Sequence, residues 1–270
     1  MDRPGPSEWL WKEGAGFYDA QAEARLRRAP ALPNGRFLRD QRIMRVFREY
    51  GGVTRGSAVL EIGCGQSMWL PYLARTEGCR VSGIDNEPYA ARLAEANLIG
   101  AGVQGNIYCR DGFDPAQNED LWGRFDLVYS MGVIEHLDDV SDKLRALGRF
   151  LKPGGRLLSM VPNLQGINWI MQRWASLRVL QAHVIYTPAL LQQVHEAAGY
   201  RTVLAAYVGF FDGFMSNTIG ERSRLKQVLH RKLCRLMSLS GAAWSRTGLP
   251  VKEWRWTAPF VVYAGVQPPR

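Results

Sequence analysis

Cysteine is scarce in this chain, and its placement excludes several chemistries. Cys64, Cys79, Cys109 and Cys234 stand far apart among 270 residues. They form neither the close pairs of a zinc ligand set nor a disulfide framework, so free thiols in a reducing compartment are expected. Histidine is equally sparse: His136, His183, His195 and His230 are the four residues from which any imidazole base must come. No apolar run reaches the ~18 residues that would cross a bilayer. The leading residues mix Asp2, Arg3, Glu8, Lys12 and Glu13, without the basic and apolar regions of a secretory leader, and a cytoplasmic location is expected. Acid is the minority charge, 25 Asp and Glu against 34 Lys and Arg for a net +9. Such an excess invites a nucleic-acid reading. The basic residues are spread out, however, with concentrations at 25–48 and 223–235 and no RNA-binding motif. A nucleic-acid partner is therefore not expected, while peripheral membrane contact and oligomeric state stay open.

What the chain does have is Val59-Leu60-Glu61-Ile62-Gly63-Cys64-Gly65-Gln66-Ser67. Its apolar, partly β-branched start reads as a buried parallel strand. Gly63 and Gly65 then free the backbone to turn sharply and admit a ligand. Residues 68–75 read as a helix whose N-terminal N–H groups face the loop and suit an anionic group. The third glycine of the dinucleotide fingerprint is missing, since Ser67 stands near its place. Glu61, at the loop mouth, would repel a pyrophosphate and attract a cation. Cys64 reads as a small space-filling residue within the loop.

Glu61-Ile62-Gly63-Cys64-Gly65 resembles the first motif of class I S-adenosylmethionine-dependent methyltransferases, whose cofactor carries a sulfonium and an ammonium. Later segments extend the resemblance. Arg80 to Asp85 reads as the second strand, and Asp85 follows Glu61 at 85 − 61 = 24 positions, near the spacing at which a carboxylate takes ribose hydroxyls. Asn86 is expected on the adenine side of the pocket. Residues 106–110 supply a third strand ending in Asp111-Gly112-Phe113. The resemblance implies that Asp111 receives the adenine amino group while Gly112 and Phe113 enclose the ring; Asp-Gly is also an ordinary turn pair. Phe125-Asp126-Leu127-Val128-Tyr129-Ser130-Met131-Gly132-Val133-Ile134-Glu135-His136-Leu137 resembles the family's fourth strand and following loop, placing Ser130 and Met131 beside the methyl donor. Lys152-Pro153-Gly154-Gly155 before a hydrophobic strand is a further family feature. The matches span about residues 58–162 in order.

The rest is more variable. Residues 164–186, with Trp169 and Trp174, fall where the family builds its acceptor pocket. Thr187 and Pro188 open a helix as N-cap and first residue, and segments 200–208 and 259–265 supply two closing strands, including the family's reversed one. Residues 223–236 form a basic amphipathic helix, best read as docked through Leu225, Val228, Leu229, Leu233 and Leu236. In the leading segment, Trp11 and Tyr18 are candidates for a lid over acceptor and cofactor.

The expected fold is α/β, a Rossmann-like, doubly wound, mostly parallel seven-stranded sheet. An N-terminal helical extension or lid (1–50) precedes the methyltransferase domain (51–270), which carries a pocket insertion (164–186) and a basic helical insertion (212–257). The resemblance implies an S-adenosyl-L-methionine-dependent O- or N-methyltransferase, releasing S-adenosyl-L-homocysteine, that acts on a small and planar or hydrophobic natural-product acceptor. Alternatives are an anionic or lipid-linked acceptor at a membrane surface, or a non-catalytic cofactor-binding protein. The expected cofactor residues are Glu61, Gly63, Cys64, Gly65, Asp85, Asn86, Asp111, Gly112, Phe113, Ser130, Met131 and Tyr18. Trp11, Glu135, Trp169, Trp174 and Tyr186 are expected at the acceptor, with His136 and His183 catalytic. Some relatives that methylate catechols hold a metal, for which Glu135, His136 and Asp138 or Asp139 would be the ligands. Because adjacent residues on a helix point apart, no metal site is expected.

Overall fold

The computed structural model describes residues 22–213 and 216–268; Trp11 and Tyr18 lie outside the described residues. The strands are β1 (Ala58–Ile62), β2 (Arg80–Asp85), β3 (Gly105–Cys109), β4 (Phe125–Met131), β5 (Leu151–Pro162), β6 (Arg201–Val208) and β7 (Phe260–Val266). They form one seven-stranded sheet in the order β3-β2-β1-β4-β5-β7-β6. β1 pairs in parallel with both β2 and β4, while β7 runs antiparallel between β5 and β6. The reversed strand expected from the sequence is thus β7. All five residues of β1 are buried, as a central strand covered on both faces requires. The chain leaves β1 toward β2 on one side and later returns as β4 on the other. That switch point opens a crevice beyond the carboxyl ends of the strands.

The helices are α1 (Ala22–Arg28), α2 (Leu38–Glu49), α3 (Trp69–Arg75), α4 (Pro88–Gly100), α5 (Val140–Leu147), α6 (Gly166–Ala175), α7 (Leu177–Gln181), α8 (Pro188–Ala197) and α9 (Arg224–Ser245). On one face of the sheet the rings of Phe47, Trp69 and Tyr129 meet, with Phe47 5.5 Å from Trp69 and 5.0 Å edge-on from Tyr129. This aromatic contact ties α2 and α3 to β4. On the other face Leu60, Ile62, Val128, Leu157 and Tyr263 are buried together. The Thr187 hydroxyl accepts the Leu190 N–H at 3.1 Å with Pro188 in the first turn, so α8 starts as its sequence requires. His195, on α8, is fully buried: it bonds Ser159 at 2.8 Å and stacks on Tyr263 at 3.9 Å. It is a core residue.

The basic helix departs from expectation. α9 runs on to Ser245 and buries His230, Met237, Gly241 and Ala242. Leu225, Val228, Leu229, Leu233 and Leu236, expected to dock it, are all exposed, Leu225 by 70% and Leu236 by 63%. The helix packs through that other face, where its backbone comes close to the preceding segment: a Cβ on Gly241 would lie 2.9 Å from the Phe211 carbonyl oxygen, and one on Gly213 would lie 2.6 Å from the Cα of Cys234. Close backbone approach replaces leucine packing. Among the described residues, no helix is long and apolar enough to cross a membrane.

Candidate active site

The glycine loop lies at the switch point. Gly63 and Gly65 both have positive φ, +68° and +44°, the left-handed region that glycine enters without strain. The N–H groups of Gly63 and Cys64 both donate to the Ile84 carbonyl, at 2.8 and 3.1 Å, pinning the loop to β2. A Cβ on Gly63 would stand 2.6 Å from Cγ2 of Val133, whereas one on Gly65 would meet nothing within 4 Å. The loop is therefore closed against the segment after β4 and open at Gly65. Cys64 is buried, its sulfur 2.8 Å from where a Cβ on Gly83 would be. Burial, with Glu61 and Asp85 adding to it, holds the thiol well above its ordinary pKa, and the residue fills space as expected.

Asp85 ends β2 beside this opening. One carboxylate oxygen accepts the Gly65 N–H at 2.7 Å and the other the Glu87 N–H at 3.0 Å. Each oxygen keeps a further lone pair, so the group holds the loop and can still accept two hydroxyls. Burial raises its pKa, against those two backbone bonds. Asn86 next to it is exposed.

Glu61 corrects the sequence reading. It does not stand at the loop mouth: it is buried, accepting hydrogen bonds from the Ser67 hydroxyl and, at 2.8 Å, from the Tyr129 hydroxyl. Burial pushes its pKa up to about 8, against those two donors. The Ser67 oxygen also accepts the N–H groups of Trp69 and Leu70, at 3.2 and 3.1 Å. The start of α3, expected to offer free N–H groups to an anion, is thus already capped. Ser67 and Tyr129 were missed in the sequence, although a serine just before a helix is a readable cap signal.

Farther along the strand ends, Asp111 is exposed and accepts the Phe113 N–H at 2.8 Å, the geometry of a local Asx turn. Phe113 is half-buried beneath the Lys143 ammonium, 5.4 Å from its centroid. Gly112 is buried close to Ile62 and Ile84. At the end of β4, Ser130 is buried and its hydroxyl has no partner among the described residues, while Met131 is half-buried.

Beyond β4, Gly132 turns with φ +72° and donates to the Met160 carbonyl at 2.9 Å. A short 3-10 turn (Ile134–His136) follows, and here the structure gathers residues 47 positions apart. His136 and His183 meet edge-on at 4.3 Å between centroids, and His136 Nε2 lies 3.9 Å from a Glu135 carboxylate oxygen. Two backbone contacts lock the halves: His136 Nδ1 lies 3.3 Å from the Ala182 carbonyl, and the Val184 N–H donates to the Glu135 carbonyl at 2.9 Å. His183 Nδ1 lies 2.7 Å from the Val179 carbonyl. These carbonyls assign the N–H to Nδ1 and the lone pair to Nε2 of each ring. Burial, with His183 adding to it, lowers the pKa of His136 to about 4, and burial lowers that of His183; both rings are neutral bases. Burial pushes Glu135 up to about 8, against its own backbone N–H, and one of its oxygens is without a partner among the described residues. Tyr186 is buried beside it, pushed up to about 12 by burial and by Glu135.

Two expectations fail here. Glu135 and His136 converge, because the 3-10 turn replaces the expected α-helix, and the third member is His183 where Asp138 or Asp139 was considered. Trp169 and Trp174 are at the surface, 39% and 40% exposed; Trp169 lies under Arg173, and Trp174 lies 6.2 Å from the His230 ring. Tyr186, by contrast, is buried.

The strand order, reversed β7 and glycine loop at the switch point define the fold of class I S-adenosylmethionine-dependent methyltransferases. The chain belongs to the methyltransferase-domain family, whose pattern matches residues 23–205. A curated relative, ubiquinone biosynthesis O-methyltransferase of Escherichia fergusonii, is 30% identical over 123 residues, covering 46% of this chain and 50% of the relative. The chain thus spans about half the length of the curated relatives it matches. Among solved structures, the cyclase SpnF aligns at TM-score 0.62 with 16% identity, covering 100% of this chain and 98% of that one. Phosphoethanolamine N-methyltransferase 2 of Haemonchus contortus, in complex with S-adenosyl-L-methionine, aligns at 0.55 with 18% identity, covering 97% of this chain and 59% of that one. At these identities the likeness is one of fold, and a cyclase among the neighbours illustrates that fold does not fix reaction.

Proposed function

We propose that this protein transfers a methyl group from S-adenosyl-L-methionine to an oxygen or nitrogen of a small-molecule acceptor. The observation that carries this is the hydrogen bond from Gly65 to Asp85, which fixes a carboxylate beside the open side of the glycine loop. That pairing suits a ribose diol, with Gly63, Cys64 and Gly65 backing the donor and Glu61 holding the loop from beneath through Ser67. Asn86, Asp111, Gly112 and Phe113 would surround the adenine, and Ser130 and Met131 the methyl donor. The donor supplies an electrophilic methyl group. The acceptor's lone pair forms the new bond as the C–S bond breaks and the thioether leaves, so the protein chiefly aligns the two and excludes water. A hydroxyl or ammonium acceptor must also lose a proton. Glu135, His136, His183 and Tyr186 form the polar group facing that requirement, and the neutral imidazoles are Lewis bases toward a proton or a metal cation alike. The relative named for O-methylation favours oxygen as the acceptor atom.

Calorimetric titration with S-adenosylmethionine and S-adenosylhomocysteine tests this. Asp85→Ala should weaken both by roughly tenfold to a hundredfold, the ~1.5–3 kcal/mol of a charged hydrogen-bonded pair. A folded wild-type protein that binds neither overturns the reading.

The exposed leucines of α9 favour a second reading, in which the acceptor is carried at an anionic lipid surface. Leu225, Leu229 and Leu236 lie among Arg224, Lys232 and Arg235 on an amphipathic helix, the composition of an interfacial helix.

A further inference from the structure

The geometry points to Glu135, His136 and His183 as a binding site for one divalent metal cation at the acceptor end of the crevice. Each residue offers one ligand atom, and the three atoms lie within 4.8 Å of one another. A cation with bonds of about 2.0–2.2 Å needs ligand atoms somewhat closer than that, within reach of small side-chain rotations. Three further observations separate this group from a chance cluster. Glu135 is 1% exposed, yet one of its oxygens has no partner among the described residues; a buried acceptor stripped of water calls for a donor or a cation. Both imidazoles place Nδ1 on a backbone carbonyl, at 3.3 Å for His136 and 2.7 Å for His183. That is the support by which metal-binding histidines are oriented and made more basic. The Val184 to Glu135 backbone bond at 2.9 Å holds the two halves of the site in register.

Two imidazoles and one carboxylate suit a borderline cation such as zinc, cobalt or iron(II) better than calcium or magnesium, which favour all-oxygen sets. Three protein ligands leave a position open, as catalytic sites do. The site follows shortly after Met131 and Gly132, and a Cβ on Gly132 would lie 3.7 Å from Oε1 of Glu135, the oxygen other than the unpartnered Oε2, which puts the carboxylate on the side of the proposed methyl donor. A hydroxyl of the acceptor, bound at the open position, releases its proton to solvent, and its oxygen then attacks the methyl carbon as the thioether departs. The cation's role rests on the methyl-transfer reading, whereas its binding does not.

The test uses the full chain, stripped with a chelator and titrated with cobalt(II) alone, followed by calorimetry and visible absorption. One equivalent should bind with the absorption of a low-coordinate nitrogen and oxygen site. Glu135→Gln and His183→Ala should each weaken binding at least tenfold, and Asp138→Asn, at an exposed acid nearby, should leave it unchanged. His183 is only half-buried, so its variant keeps the test informative if the Glu135 variant fails to fold. Wild-type protein that binds S-adenosylhomocysteine but no cobalt, or cobalt binding untouched by His183→Ala, overturns the site and leaves methyl transfer standing. Cobalt binding lost in the two ligand variants, in a protein that binds no S-adenosylhomocysteine, supports the site while methyl transfer falls.

Discussion

Glu61→Gln should change the pH dependence of folding in a direction fixed by the structure. In the folded chain, burial holds the carboxyl at about 8 against an ordinary 4.5, with Ser67 and Tyr129 donating to it. Between those values the folded state keeps a proton that the unfolded chain releases, so stability falls as pH rises through the window. At ~1.36 kcal/mol per pKa unit, the roughly 2.5 units between the ordinary value and neutral pH amount to about 3 kcal/mol. Glutamine has no such titration. It keeps a carbonyl for the two hydroxyls but brings an amide without an acceptor, which costs ~1–3 kcal/mol at every pH. Below about pH 5 the wild type should therefore be the more stable protein. By neutral pH the wild type should have lost about 3 kcal/mol of that advantage, so that the gap closes or reverses. Urea unfolding of both proteins from pH 5 to 9 measures this, and because Glu135 titrates in the same window in both, its contribution cancels in the difference. Parallel stability curves would refute the argument.

His195→Ala should cost about 2–4 kcal/mol of stability, since it opens a cavity beneath Tyr263 and strands the Ser159 hydroxyl. Turnover per folded molecule and KM should both stay unchanged, which steady-state kinetics below the unfolding transition will show. Replacing Leu225, Leu229 and Leu236 together by glutamate should abolish co-flotation with vesicles rich in anionic lipid and leave thermal stability within about 0.5 kcal/mol per site, because these side chains are exposed. Equal flotation of both proteins would remove the lipid-surface reading.

The parts legible in the sequence are those whose physics is local. β1 is an apolar run that ends in glycines with positive φ, and α8 begins with a threonine and a proline that cap and start it. The order of alternating strands and helices leaves few topologies besides the one observed. The leucines of α9 show where local patterning fails. Helical spacing marks an apolar face, but whether that face is covered depends on the backbone approach at Gly213 and Gly241, which periodicity does not encode. The same holds for the pairing of His136 with His183. Each histidine stood out alone, but their convergence required a 3-10 turn where α-helix was expected, and a backbone bond from an insertion whose course the sequence left open.

Glu61 and Glu135 make the distinction that matters most for function. Both are buried, and burial pushes both to about 8. They flank one short segment: Val133 closes over Gly63 on one side, and Glu135 approaches Gly132 on the other. From the sequence each is an acid next to isoleucine, Ile62 for Glu61 and Ile134 for Glu135. Glu61 receives two hydroxyl donors, one from a residue 68 positions away, and is satisfied within the protein. Its work is to hold the loop, through the Ser67 hydroxyl that also caps α3. Glu135 keeps an oxygen without a partner among the described residues, and its desolvation is opposed by its own backbone N–H, with no side-chain donor added. A buried acid that the fold satisfies is structural first, and one that the fold leaves wanting is where a ligand completes the electrostatics. On that ground substitutions at Glu135, more than at Glu61, should alter the binding of a ligand while leaving the glycine loop in place.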